Sequence, residues 1–122
     1  MPDHVENPDR FEGQLLGVVA ADGARPVVYA LAGEIDMYVA DALERRLRDI
    51  AAEHGEIIEV DLAEVTFCDS SGLRVFIKLC NELAARGGRL RFARPSQPFL
   101  RLVELTNTAS ILGVPPGVPE EP

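Results

Sequence analysis

The strongest constraint on this chain is a change of apolar period, and back again, between residues 57 and 93. Ile57-Ile58-Glu59-Val60-Asp61-Leu62 is rich in β-branched residues and reads as a central strand. Val65-Thr66-Phe67-Cys68 either extends it or forms a short loop. From about Ser70 to Arg86 the period becomes helical. Leu73, Phe76, Ile77, Cys80, Leu83 and Ala84 build one wide buried face, and Gly87-Gly88 stops it. Arg89-Leu90-Arg91-Phe92-Ala93 then alternates polar and apolar, as a half-exposed strand does. Two strands joined through a helix pair in parallel by a right-handed crossover.

The flanking segments extend this unit. Leu15–Ala20 and Val27–Leu31 read as two strands around the turn signal Asp22-Gly23, which suggests an antiparallel hairpin with a longer loop. Val39, Leu43, Leu47 and Ile50 form the apolar stripe of a helix that Asp36 can cap and Gly55 can stop. Ser96 can cap a third helix, with Pro98 in its first turn. Its core-facing residues are expected to be Leu100, Val103 and Leu105, and Ser110-Ile111-Leu112 reads as a final short strand. The expected fold is α/β, with element order ββαβαβα(β) and a mixed, mostly parallel sheet of four to five strands.

Residues 1–12 are expected to be a flexible tail, residues 13–113 a single domain, and residues 114–122 a proline-rich tail. A chain of 122 residues can bury enough surface to fold without disulfide or metal staples. Its two cysteines, Cys68 and Cys80, are too few for a disulfide framework and lack metal-ligand spacing with His4 or His54. They read as small buried hydrophobes in a reducing cytoplasm. The net charge of −8 disfavours nucleic acid and anionic membranes. No signal peptide and no membrane span are expected.

In sheets of this kind, sites gather at the carboxyl ends of parallel strands, where loops enter helices. Gly33–Asp36 and Cys68–Gly72 occupy such places. Asp69 or a serine can cap the second helix, and its free N–H groups and dipole give local positive potential. A serine phosphorylated there would carry about −1.5 to −2 charges beside Asp69, a change acting on partner binding. From physics alone, ordinary capping is the better explanation of Asp69, Ser70 and Ser71, because capping serines are common and switches are rare.

Gly33-Glu34-Ile35-Asp36 and Val60-Asp61-Leu62…Asp69-Ser70-Ser71-Gly72-Leu73 together resemble the STAS domains of bacterial anti-sigma factor antagonists. The resemblance implies that Ser70 is the phosphoacceptor. It implies as partner an anti-sigma factor that is also a serine kinase of the histidine-kinase-like ATPase fold. The unphosphorylated antagonist would bind it and release the sigma factor, and a serine phosphatase would restore the switch. Asp36 matches the family's loop aspartate, with partner binding or helix capping as its role. Asp69 and Ser71 are implied to lie in the partner-binding surface. Gly72 serves close packing or access, and Leu73 is an exposed contact or, by its stripe position, core. Met37-Tyr38 departs from the small or hydroxylated residues usual after Asp36 and is expected to tune partner choice. Arg74 and Lys78 read better as a solvated face than as partner contacts.

No cofactor is implied, since ATP would belong to the kinase, and no catalytic or metal-ligating residue is assigned. There is no Gly-x-Ser-x-Gly, no Walker motif and no histidine near Ser70 in sequence, so an enzyme is not expected. The alternative is a STAS scaffold or interaction module of a stress-signalling complex, with or without phosphorylation.

Overall fold

The computed structural model describes residues 3–23 and 25–114. Among them are six strands and four helices. The opening strands β1 (His4–Val5) and β2 (Asp9–Phe11) both pair antiparallel with β3 (Leu15–Ala21). β3 pairs antiparallel with β4 (Val27–Ile35), which lies parallel to β5 (Ile57–Cys68), and β5 lies parallel to β6 (Arg89–Ala93). The spatial order is β1-β3-β4-β5-β6, with β2 beside β3, so β6 is an outer strand. α1 (Met37–His54) and α2 (Ser70–Ala85) are the two crossovers. α3 (Gln97–Thr106) and the short α4 (Ala109–Leu112) follow β6.

Burial alternates along the strands because successive side chains point to opposite faces. Leu15 and Val19 of β3, Tyr29 and Leu31 of β4, and Ile58, Val60 and Leu62 of β5 join the helical stripes in one core. The helical contribution is Val39, Leu43, Leu47 and Ile50 of α1 with Leu73, Phe76, Leu79 and Leu83 of α2. The opposite face is half-exposed and carries ion pairs between β5 and the β6 region, Glu59 with Arg91 and Asp61 with Arg94. Phe76 of α2, Phe92 of β6 and Phe99 of α3 meet with ring centroids 5.2–5.9 Å apart, which fastens α3 to the core.

Four expectations need correction. The sheet has six strands, because the segment expected to be a tail supplies β1 and β2. Asp9 of that segment accepts hydrogen bonds from the buried Tyr29 hydroxyl and from Arg46 Nε, both at 2.8 Å. Gly17 makes room for the tyrosine, since a Cβ there would lie 2.3 Å from its hydroxyl oxygen. Ser110-Ile111-Leu112 lies in α4, which starts after Thr108 and stops at Gly113 in the left-handed conformation. Leu105 points outward at 78% exposure, and Phe99 fills the core with Val103 instead. Ser96 holds the N-cap position of α3 without a capping bond from its hydroxyl. Most of the expected C-terminal tail, residues 115–122, lies outside the described residues; Val114 is buried.

Candidate partner-binding site at paired helix N-termini

The parallel register of β4 and β5 sets Ile35 opposite Cys68, so both strands end level with each other. The residue that follows each strand is an aspartate that caps a helix. Asp36 accepts from the Tyr38 N–H at 2.9 Å. Asp69 accepts through one carboxylate oxygen from Ser71 N–H at 2.8 Å and Gly72 N–H at 3.3 Å. The Asp69 N–H donates to the Ile35 carbonyl at 3.1 Å, which ties the two loops together. Both carboxylates therefore satisfy donors that a helix start leaves free, and both sit in its favourable dipole field.

Ser70 follows as the first residue of α2 and is exposed, while Ser71 is half-buried. Gly72 and Leu73 are buried, so they shape the surface from beneath. That resolves Leu73 as core. A Cβ on Gly72 would lie 2.5 Å from Ile35 Cγ2 and 2.9 Å from Cys68 Sγ, so its role is close packing of α2 onto the ends of β4 and β5.

Around these loops stand three large apolar side chains with much of their surface in water: Met37 at 69%, Tyr38 at 75% and Phe67 at 47% exposure. No sequence pattern announces the exposure of Phe67: the register of β5 with β4 shifts twice after Asp61, which breaks the strand's alternation and leaves Thr66 and Phe67 both facing solvent. Met37 also lines a shallow groove between α1 and α2, together with Ser71 and Arg74. Arg74 is exposed, whereas Lys78 pairs with Glu44 at 3.1 Å.

Lys78 belongs to a cluster that fixes α1 against α2. Arg48 of α1 bonds both Glu44 on its own helix and Glu82 on α2, the latter through two nitrogens at 2.8 and 3.1 Å. The Arg48 guanidinium holds both carboxyls below their ordinary range. Depressed carboxyl values stabilise the fold above the ordinary value near 4.5, and that contribution disappears as pH falls through the lower folded-state value. The urea midpoint should therefore drop between pH 6 and pH 3, and Glu82→Gln should narrow the drop. An equal drop in the variant would remove this cluster from the account.

The thiols offer no nucleophile at neutral pH. Burial, reinforced by the charge of Asp69, pushes Cys68 up to about 12, and burial pushes Cys80 up to about 11.

A STAS-domain family model matches residues 18–120, from the middle of β3 through α4. The chain belongs to the STAS-domain family. The anti-sigma-B factor antagonist of Bacillus subtilis strain 168 is 33% identical over 84 residues, covering 69% of this chain and 76% of that protein. The unphosphorylated anti-sigma factor antagonist SpoIIAA has a similar fold, with a TM-score of 0.66, 20% identity, and 77% and 83% of the two chains covered. An anti-sigma factor antagonist from Mycobacterium paratuberculosis superposes with a TM-score of 0.63 at 23% identity, over 97% of this chain and 91% of that one. These structural likenesses place the STAS sheet and crossovers in a common fold. Among the described residues no helix is long and apolar enough to cross a membrane.

Proposed function

We propose that this STAS domain is an anti-sigma factor antagonist of the bacterial cytoplasm, switched off by phosphorylation of Ser70. The observation that carries the reading is an exposed serine at the first position of α2, directly after the capping Asp69 and at the same end of the paired strands as the capping Asp36. The relatives named anti-sigma factor antagonists support the role. The unphosphorylated surface binds an anti-sigma factor and so frees the sigma factor. That anti-sigma factor is a serine kinase of the histidine-kinase-like ATPase fold, which binds ATP and transfers its terminal phosphoryl group to the Ser70 hydroxyl, releasing ADP and the hydroxyl proton. A serine phosphatase reverses the change. The domain itself is a binding protein.

The electrostatics account for the switch. Asp69 already occupies the Ser71 and Gly72 N–H groups. A phosphate on Ser70 brings about −1.5 to −2 charges onto a surface that holds Asp36 and Asp69. A partner fitted to a neutral hydroxyl meets like charge and loses a hydrogen bond, which costs several kcal/mol at a desolvated interface, on the order of a hundredfold or more in affinity.

Incubation with the cognate kinase and ATP, followed by mass spectrometry, should place the phosphate on Ser70. Ser70→Ala should bind the anti-sigma factor and resist switching, and Ser70→Asp should bind about tenfold or more weakly. Modification of Ser71 instead, or unchanged affinity after modification, would overturn the assignment.

A further inference from the structure

The chain has two histidines, fifty positions apart, and the fold turns both toward one carboxylate oxygen. His54 Nε2 lies 3.1 Å from Glu6 Oε2, and His4 Nε2 lies 3.4 Å from the same oxygen. Glu53 Oε1 approaches His54 Nε2 at 3.9 Å. Donor atoms of Glu6, Glu53 and His54 all fall within 4.8 Å of one another. A tetrahedral zinc ion with bonds of about 2.0–2.1 Å keeps its ligand atoms about 3.3–3.4 Å apart. The contacts to Glu6 already have that spacing to within a few tenths of an ångström. His4 stands outside that group of three and touches it through Glu6, and Arg46 Nη1 lies 3.8 Å from the same Glu53 oxygen. The side chains of Glu53 and His4 are 56% and 57% accessible, and they are the two that must shift to close a tetrahedron.

The surroundings orient this set. Arg46, whose side chain is only 18% exposed, binds the other Glu6 oxygen at 2.8 Å and Asp9 at 2.8 Å. Glu6 is thus held with Oε1 on the guanidinium and Oε2 facing the imidazoles, an outer-shell arrangement of the kind that aims metal ligands. The nearby charges of Glu6, Asp9 and Glu53 against Arg46 leave an excess of two negative charges, which suits a dication. Imidazole donors select first-row ions such as zinc over magnesium or calcium.

We propose that His4, Glu6, Glu53 and His54 form a binding site for a divalent transition metal, zinc being the ion that fits, which clips the N-terminal strands to the carboxyl end of α1. The clip is independent of the phosphorylation reading. It sits at the opposite end of the 18-residue α1 from Asp36, about 27 Å away along the axis. Bound metal fixes His4 and Glu6, and with them β1, against the outer side of β3.

The test uses the full chain without a polyhistidine tag, stripped with a chelator and titrated with zinc chloride by calorimetry and thermal melting. One equivalent should bind and raise the melting temperature, and magnesium chloride should do neither. Cobalt chloride should give the intense visible absorption of a tetrahedral centre. His54→Gln and Glu53→Gln should each weaken zinc binding about tenfold or more, while Cys80→Ser leaves it unchanged. Absence of stoichiometric binding, or binding unchanged in His54→Gln with its fold intact, would overturn the site.

Discussion

Gly72→Ala is expected to destabilise the domain by about 1–3 kcal/mol, although it adds a single methyl group at the start of a helix. The usual propensity argument has the opposite sign, since alanine favours a helix by up to about 1 kcal/mol over glycine. Packing decides here. The new Cβ would lie 2.5 Å from Ile35 Cγ2 and 2.9 Å from Cys68 Sγ. Ile35 is fully buried and Cys68 nearly so, which leaves neither able to swing away cheaply. Relief requires α2 to lift from the ends of β4 and β5, and that strains the Asp69–Ile35 backbone bond joining the two loops. Urea denaturation reads the loss, and anti-sigma factor binding should fall with it. A variant as stable as the parent would show that α2 is not held in the close contact described.

Tyr38→Ala is expected to do the reverse: to leave stability within about 0.5 kcal/mol and to weaken anti-sigma factor binding by about 2 kcal/mol, roughly thirtyfold. Tyrosine is a frequent anchor of protein interfaces, because a large rigid ring buries much area at small entropic cost. This one is three-quarters exposed in the isolated domain. Its N–H caps onto Asp36 through the main chain, so truncating the ring leaves the loop bond in place. Met37→Ala and Phe67→Ala should add smaller losses on the same surface. Calorimetry with the cognate anti-sigma factor, paired with a denaturation curve, separates the two effects. Unchanged affinity at unchanged stability would place the docking surface elsewhere.

Much of this arrangement was legible because its causes are local. The stripe Val39, Leu43, Leu47 and Ile50 gave α1, and Asp36 and Gly55 bound it where the structure does. The change of period after Cys68 gave the start of α2, where Ser70 stands. What escaped depends on partners far away in sequence. Asp9-Arg10-Phe11 is too short and polar to announce a strand, and it is held by β3, Tyr29 and Arg46. The convergence of His4 and His54 has the same origin, since fifty intervening residues hide it from any spacing rule. Ser110-Ile111-Leu112 failed for a different reason. Two apolar residues after a serine carry no period, and the segment closes as a helical turn in which the Leu112 N–H donates to the Thr108 carbonyl at 3.1 Å before Gly113 turns left-handed.

The position of β6 has a consequence for how the molecule behaves in a crowded solution. An outermost strand offers unpaired backbone groups that can recruit a strand from a neighbouring copy and seed aggregation. Here that strand has only five residues, and Arg89 and Arg91 are exposed along it. A second copy approaching this border would bring its own arginines against them at close range. Arg91, which pairs with Glu59 across the sheet, therefore also helps Arg89 to guard this boundary against a second strand.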